Sequence, residues 1–251
     1  MQKLLNIAIN AAIEAKKAAQ VFINDPQIIS AEYKDIKSQA DICMSNLIIK
    51  NLKKTNIYII SEEDIFQTEY LPEKYWIIDP LDGTYNFCRN FQCAGISISL
   101  IINSEPMLGV ILDIYNDKIF TSYHNNGAKL NKESIKVSKI NKISDAILAT
   151  GFPSGSQYDK INLLSFVHSV QEFKKIRSIG SASIMLSYVA TGIFDVYYER
   201  NIYLWDVAAG LSMVKEAGGN FLLLKTDIKF KYNVLASNSL IFESAKKHFF
   251  K

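Results

Sequence analysis

The chain reads as a mixed α/β protein built from two α/β lobes in one compact unit, residues 1–145 and 146–251. Three observations predict this. Helical spacing opens the chain, a run of short apolar strands separated by turn signals follows, and strands and helices alternate after residue 146.

In the opening segment, Leu4, Ile7, Ala8, Ala11, Ala12, Ala15, Ala18, Ala19 and Phe22 recur at three- and four-residue steps, the mark of one buried helix face. Asn6 and Asn10 interrupt the apolar run and Glu14, Lys16 and Lys17 follow, so the segment reads as a first helix and not a signal peptide. A second helix is predicted over 42–54, with Met44, Leu47, Ile48 and Leu52 on one face and Asp41 at its start. "IYII" at 57–60 and "WII" at 76–78 are short buried strands. Further strands are predicted at 96–102, 107–114 and 118–123, closed by a turn at Asn125-Asn126-Gly127. In the second half, 146–150 is strand-like, and Ile161, Leu164, Val167 and Val170 carry helical spacing. Gly180 precedes a helix through Ala190, 193–199 reads as a strand, 206–217 as a helix ended by Gly218-Gly219, and 234–237 as a last strand. The stretch 151–156, Gly-Phe-Pro-Ser-Gly-Ser, is the best boundary between lobes.

Composition narrows the function. A chain of 251 residues that is 49% hydrophobic can bury a substantial core. A net charge of +3 does not by itself argue for nucleic acid or an anionic membrane surface. Cys43, Cys88 and Cys93 are odd in number and lack paired metal-binding spacing, which predicts a reduced, cytoplasmic protein. No apolar run reaches the roughly 18 residues of a membrane span.

The chemistry lies in the carboxylates. "WIIDPLDGTYNF" at 76–87 drives an apolar strand into Asp79 and Asp82. Glu62-Glu63 follow "IYII", and Asp206 follows Trp205. Taken one at a time each has an ordinary explanation: "DPLDG" as a turn, Glu62-Glu63-Asp64 as a solvated loop, Asp41 and Asp206 as helix caps. Taken together they are buried like charges without enough cations nearby, a conflict that a hard divalent cation relieves. An all-oxygen ligand set suits Mg²⁺ over zinc. Gly83-Thr84 adds a backbone able to approach an anion closely. Metal, phosphate cradle and hydroxyl together describe a metal-dependent phosphatase. His124, His168 and His248 read as structural or surface residues.

"DPLDGTYNF" at 79–87 resembles the first signature of the inositol monophosphatase family, and "WDVAAG" at 205–210 resembles its second. "SEED" at 61–64, "ILATGFP" at 147–153 and 177–199 are also similar to that family. The resemblance implies an αβαβα layered sandwich of the inositol monophosphatase and fructose-1,6-bisphosphatase type, hydrolysis of phosphomonoesters, and two or three Mg²⁺ ions. On matching positions, Glu62, Asp79 and the Leu81 carbonyl would hold one ion, and Asp79 would bridge to a second held by Asp82 and Asp206. The N-terminal lobe thus supplies most ligands and the C-terminal lobe supplies Asp206. Thr84, with Asp41 behind it, and Glu62 would activate the attacking water. The Gly83 and Thr84 amides would bind phosphate, and Asp82 and Asp206 would also belong to the substrate-binding residues. Gly180, Ser181, Ala182 and Glu199 match positions that meet the alcohol moiety of the substrate. The segment before Asp41, "YKDIKSQAD", departs from the family pattern by lacking Ser-Pro and a following Thr. Glu63 is read equally well as an outer support or a surface residue.

The resemblance implies a small phosphorylated substrate, inositol-1-phosphate first, and a homodimer. Glu199, seven residues before Asp206, suits polyol hydroxyls and would repel a second phosphate. A 3′(2′),5′-bisphosphate nucleotidase, a histidinol-phosphate phosphatase and a fructose-1,6-bisphosphatase are alternatives on one scaffold. A binding protein associated with RNA or transcription is the alternative of a different class.

Overall fold

The computed structural model of the chain describes residues 1–32, 35–63, 71–152 and 160–250. The opening helix α1 (Gln2–Phe22) packs beside α2 (Gln39–Leu52), with the hairpin of β1 (Ile28–Glu32) and β2 (Asp35–Ser38) between them in sequence. A seven-stranded sheet follows: β3 (Tyr58–Ser61), β4 (Lys74–Asp82), β5 (Gly95–Ile102), β6 (Glu105–Asp113), β7 (Ile119–Tyr123), β8 (Ala128–Leu130) and β9 (Glu133–Ile135), in that spatial order. β3 and β4 run parallel and every later pair is antiparallel. The short helix α3 (Thr84–Cys88) leaves the end of β4.

The second sheet has the order β11-β10-β12-β14-β13, from β10 (Ile147–Ala149), β11 (Lys175–Arg177), β12 (Val196–Tyr203), β13 (Gly219–Lys225) and β14 (Lys231–Asn238). Between the sheets lie α5 (Ala182–Ala190) and α6 (Leu204–Glu216), and outside the second sheet lie α4 (Lys160–Val170) and α7 (Phe242–Phe249). The result is the expected layering: helices, sheet, helices, sheet, helices.

The pleat explains the layering. Successive strand residues face opposite sides, so Tyr75 and Ile77 of β4 join the core around α5 and α6, while Trp76 and Ile78 join the core beneath α1 and α2. On β5 the alternation is Ile against Ser. Ile96 and Ile98 face α1 and α2, and the Ser97 hydroxyl turns the other way to donate to the Trp205 carbonyl at 2.9 Å. On β6 a methyl group at Gly109 would lie 2.4 Å from the Ala209 carbonyl oxygen. Small residues thus let α6 settle close to the sheet, which brings its first turn to the end of β4.

Several expectations shift. α2 begins at Gln39 with Ser38 as its cap, so Asp41 lies inside the first turn and not ahead of it. β12 starts at Val196, since Gly192 and Ile193 form a turn, and runs on to Tyr203 through a register shift after Glu199. β8, β9, β11, β13, α7 and the β1–β2 hairpin were not foreseen. Within the expected boundary at 151–156, residues 153–156 lie outside the described residues, as does Asp64. Among the described residues, no helix is long and apolar enough to cross a membrane.

Candidate active site

Asp79 and Asp82 are three residues apart on β4, an odd spacing that in a regular strand sends side chains to opposite faces. The ladder corrects this. Asp79 lies opposite Ser97 and Asp82 opposite Gly95, so β4 carries one extra residue between them. Such a bulge restores both carboxylates to one side. Pro80 sits inside it, where the lack of an N–H costs no ladder bond. The Leu81 N–H turns back to Asp79 Oδ1 at 2.9 Å. Gly83 then takes φ +90°, a conformation that favours glycine, and α3 starts at Thr84.

Asp206 arrives on the first turn of α6, and one ligand oxygen each from Asp79, Asp82 and Asp206 lies within 4.8 Å of the others. Glu62, directly after β3, borders the same cleft of about 380 Å³. Burial, then the charges of Glu62, Asp82 and Asp206, hold the Asp79 carboxyl well above the usual range. Burial, then Glu62, Asp82 and Glu199, do the same to Asp206. Burial raises Asp82 as well, against hydrogen bonds from Ser181, Ser183 and the Ala182 amide. Among the described residues, the ion pairs of Lys16, Lys37 and Lys174 lie away from these three carboxylates, while the Lys231 ammonium senses the charge of Asp206. A buried cluster of oxygen donors with one sign of charge fits a hard divalent cation, and Glu62, Asp79, Asp82, Asp206 and the Leu81 carbonyl are the groups that could hold it.

Beside this cluster, Thr84 Oγ1 lies 2.9 Å from Asp41 Oδ1 and 2.9 Å from the Leu81 carbonyl oxygen. Asp41 Oδ2 accepts from the Ser38 N–H at 2.8 Å and the Ser38 hydroxyl at 2.6 Å, a capping box that anchors α2. One buried carboxylate therefore starts a helix with one oxygen and holds the Thr84 hydroxyl with the other. The unfamiliar segment before Asp41 reaches that geometry through Ser38.

Gly83, Gly180, Ser181, Ala182 and Glu199 also border the cleft. The Ser181 hydroxyl and the Ala182 amide are turned to Asp82, at 2.6 and 3.3 Å. Glu199 is buried, and its Oε2 accepts from the Tyr197 hydroxyl at 2.5 Å. A methyl group at Gly151 would lie 2.7 Å from Glu199 Oε1, so a side chain there would push the Glu199 carboxylate aside at this wall of the cleft. Glu63 pairs with Lys37. The three histidines stay outside the cleft, and His248 bonds the Ser169 carbonyl at 2.6 Å. Ser38, Gly151, Ser183 and Tyr203 escaped sequence reasoning. The Ser-x-x-Asp pattern at 38–41 was the one available signal.

The family model described as the inositol monophosphatase family matches residues 1–249. This chain belongs to the inositol monophosphatase family. It is 36% identical over 226 residues to the Nus factor SuhB of Xylella fastidiosa, covering 87% of this chain and 82% of that one. It is 35% identical over 224 residues to the inositol-1-monophosphatase of Rhizobium meliloti, covering 86% and 84%. Among solved structures, an inositol monophosphatase from Anabaena (Nostoc) sp. PCC 7120 superposes with a TM-score of 0.85 at 30% identity, over 98% of this chain and 95% of that one. Family membership thus accounts for the layered fold and for the acidic cluster together.

Proposed function

We propose that this member of the inositol monophosphatase family is a Mg²⁺-dependent phosphomonoesterase acting on a small phosphorylated polyol, inositol-1-phosphate first. The observation that carries the proposal is the convergence of Asp79, Asp82 and Asp206 at a cleft that also holds the Thr84–Asp41 pair. Bound among these carboxylates, Mg²⁺ would supply positive charge to the phosphoryl oxygens and make water a better nucleophile near neutral pH.

The chain's own groups do the rest. The Thr84 hydroxyl sits between two acceptors, Asp41 and the Leu81 carbonyl, so its proton is committed and its lone pairs are left to orient the attacking water. Asp41, raised by burial and lowered by its Ser38 and Thr84 hydrogen bonds, is the group behind Thr84 that can share the water's proton. Glu62 borders the same cleft and completes the acidic wall behind that water. The Gly83 and Thr84 amides open α3 and are offered to phosphate. Gly180, Ser181, Ala182 and Glu199 receive the alcohol moiety, with Glu199 accepting from neighbouring hydroxyls. Assembly as a homodimer and residence in the cytoplasm belong to the same proposal.

The name Nus factor SuhB on relatives of this length supports a second reading, a role with a transcription complex. The two are separated by assaying phosphate release with Mg²⁺ from inositol-1-phosphate, 3′-phosphoadenosine 5′-phosphate, histidinol phosphate and fructose-1,6-bisphosphate. The expected result is the highest kcat/KM for inositol-1-phosphate. A higher value for the adenosine bisphosphate transfers the proposal to a nucleotidase. No hydrolysis of any ester leaves the transcription-related reading.

A further inference from the structure

We propose that Ser183, accommodated by the missing side chain of Gly95, is a positioning residue that aims the Asp82 carboxylate into the cleft; the inference rests on the metal-dependent reading above. Asp82 Oδ2 accepts from the Ser181 hydroxyl at 2.6 Å, the Ser183 N–H at 2.7 Å and the Ser183 hydroxyl at 2.5 Å. Oδ1 receives only the Ala182 N–H, at 3.3 Å, among the described residues. One oxygen is saturated and the other is left for a ligand. This asymmetry turns a carboxylate into a directed donor.

Ser183 is suited to that task alone. It is fully buried and does not border the cleft, whereas Ser181 does. Its hydroxyl occupies space that β5 concedes: Gly95 lies opposite Asp82 in the ladder, and a methyl group there would sit 2.8 Å from Ser183 Oγ and 3.1 Å from Ile184 Cδ1. A strand interior normally loses stability with glycine, so its place directly across from Asp82 has a packing cause. Ser187, one turn further along α5, supplies the contrast. It is equally buried, but its hydroxyl donates to the Ser183 carbonyl at 2.9 Å and bonds no carboxylate among the described residues.

Hydrogen bonds that orient a metal-binding carboxylate typically contribute about tenfold to a hundredfold in metal affinity. The test is calorimetric titration of Mg²⁺ alone into the full metal-free chain, without substrate, for wild type, Ser183→Ala, Ser187→Ala and Gly95→Ala, each checked for fold by circular dichroism. The expected result is binding weakened about tenfold or more in Ser183→Ala and in Gly95→Ala, with Ser187→Ala within about twofold of wild type. The two serine variants should melt at similar temperatures without metal, which separates a lost orientation from a lost core hydroxyl. Ser183→Ala binding Mg²⁺ as tightly as wild type would overturn the inference, as would an equal loss in Ser187→Ala. Failure of the wild type itself to take up Mg²⁺ would overturn the metal-dependent reading and this inference with it, a result distinct from the other two.

Discussion

Thr84 has one hydroxyl proton and two acceptors at 2.9 Å; on the proposed mechanism its contribution would belong to the transition state, where the water must be held in line. Thr84→Ala is expected to lower kcat about a hundredfold or more with little change in KM, measured by steady-state kinetics. A loss appearing mainly in KM would make Thr84 a phosphate anchor only. Glu199 allows a test by pH. Burial pushes its carboxyl up to about 7 from 4.5; the Tyr197 hydroxyl pulls down and Asp82 adds to the rise. The folded chain therefore holds this proton more tightly than the unfolded chain does. The resulting stabilisation is full below the unfolded value of 4.5 and is lost as pH rises through about 7. Without metal, wild type should lose up to about 1.4 kcal/mol per pH unit relative to Glu199→Gln across that window, read by denaturant unfolding. A gap that does not change with pH would contradict it. Asp79, Asp82 and Asp206 were legible in the sequence because an apolar run that ends in carboxylates is costly without a partner. Ser183 and Gly95 were not, since a single hydroxyl and a single missing side chain have no period to betray them.

At the scale of elements, the site depends on two local irregularities and one close approach. The bulge in β4 brings Asp79 and Asp82 to one side, Gly83 turns the chain into α3, and the small residues of β5 and β6 let α6 carry Asp206 inward. Gly109 tests the last of these away from the cleft. A methyl group there would meet the Ala209 backbone at 2.4 Å, so Gly109→Ala must displace α6 or the sheet. The expected cost is about 1–3 kcal/mol of stability in denaturant unfolding, with weaker Mg²⁺ binding because Asp206 moves with its helix. Unchanged Mg²⁺ affinity would show that the close approach at Gly109 does not set where Asp206 lies. The apolar runs of β4, β5 and β6 were readable as strands, β4 only over 76–78. β11 has three residues and α7 has eight, too few for either period to declare itself, and tertiary packing decides them. The bulge was also hidden, since register is a property of the pair and not of one strand.

For the whole molecule, the layered fold is what makes the acidic cluster tolerable. Two sheets and the helices between them bury the ends of β4 and α6 against one another, leaving like charges that repel one another. Mg²⁺ at about a hundred times its Kd should therefore stabilise the fold by about 2.7 kcal/mol, which for a domain of this size raises Tm by roughly 5–10 °C. Absence of any shift at millimolar Mg²⁺ would argue against a preformed site. The layering and both signatures were legible across the chain because the motifs sit at element ends, where sequence and geometry coincide. The most direct measurement is turnover of inositol-1-phosphate by Asp82→Asn across a Mg²⁺ titration, with the fold verified by circular dichroism. Loss of one ligand should abolish turnover at every Mg²⁺ concentration while the protein stays folded, and metal-free Asp82→Asn should melt no lower than wild type because repulsion has eased. Turnover near the wild-type rate at saturating Mg²⁺ would remove Asp82 from the site and contradict the account.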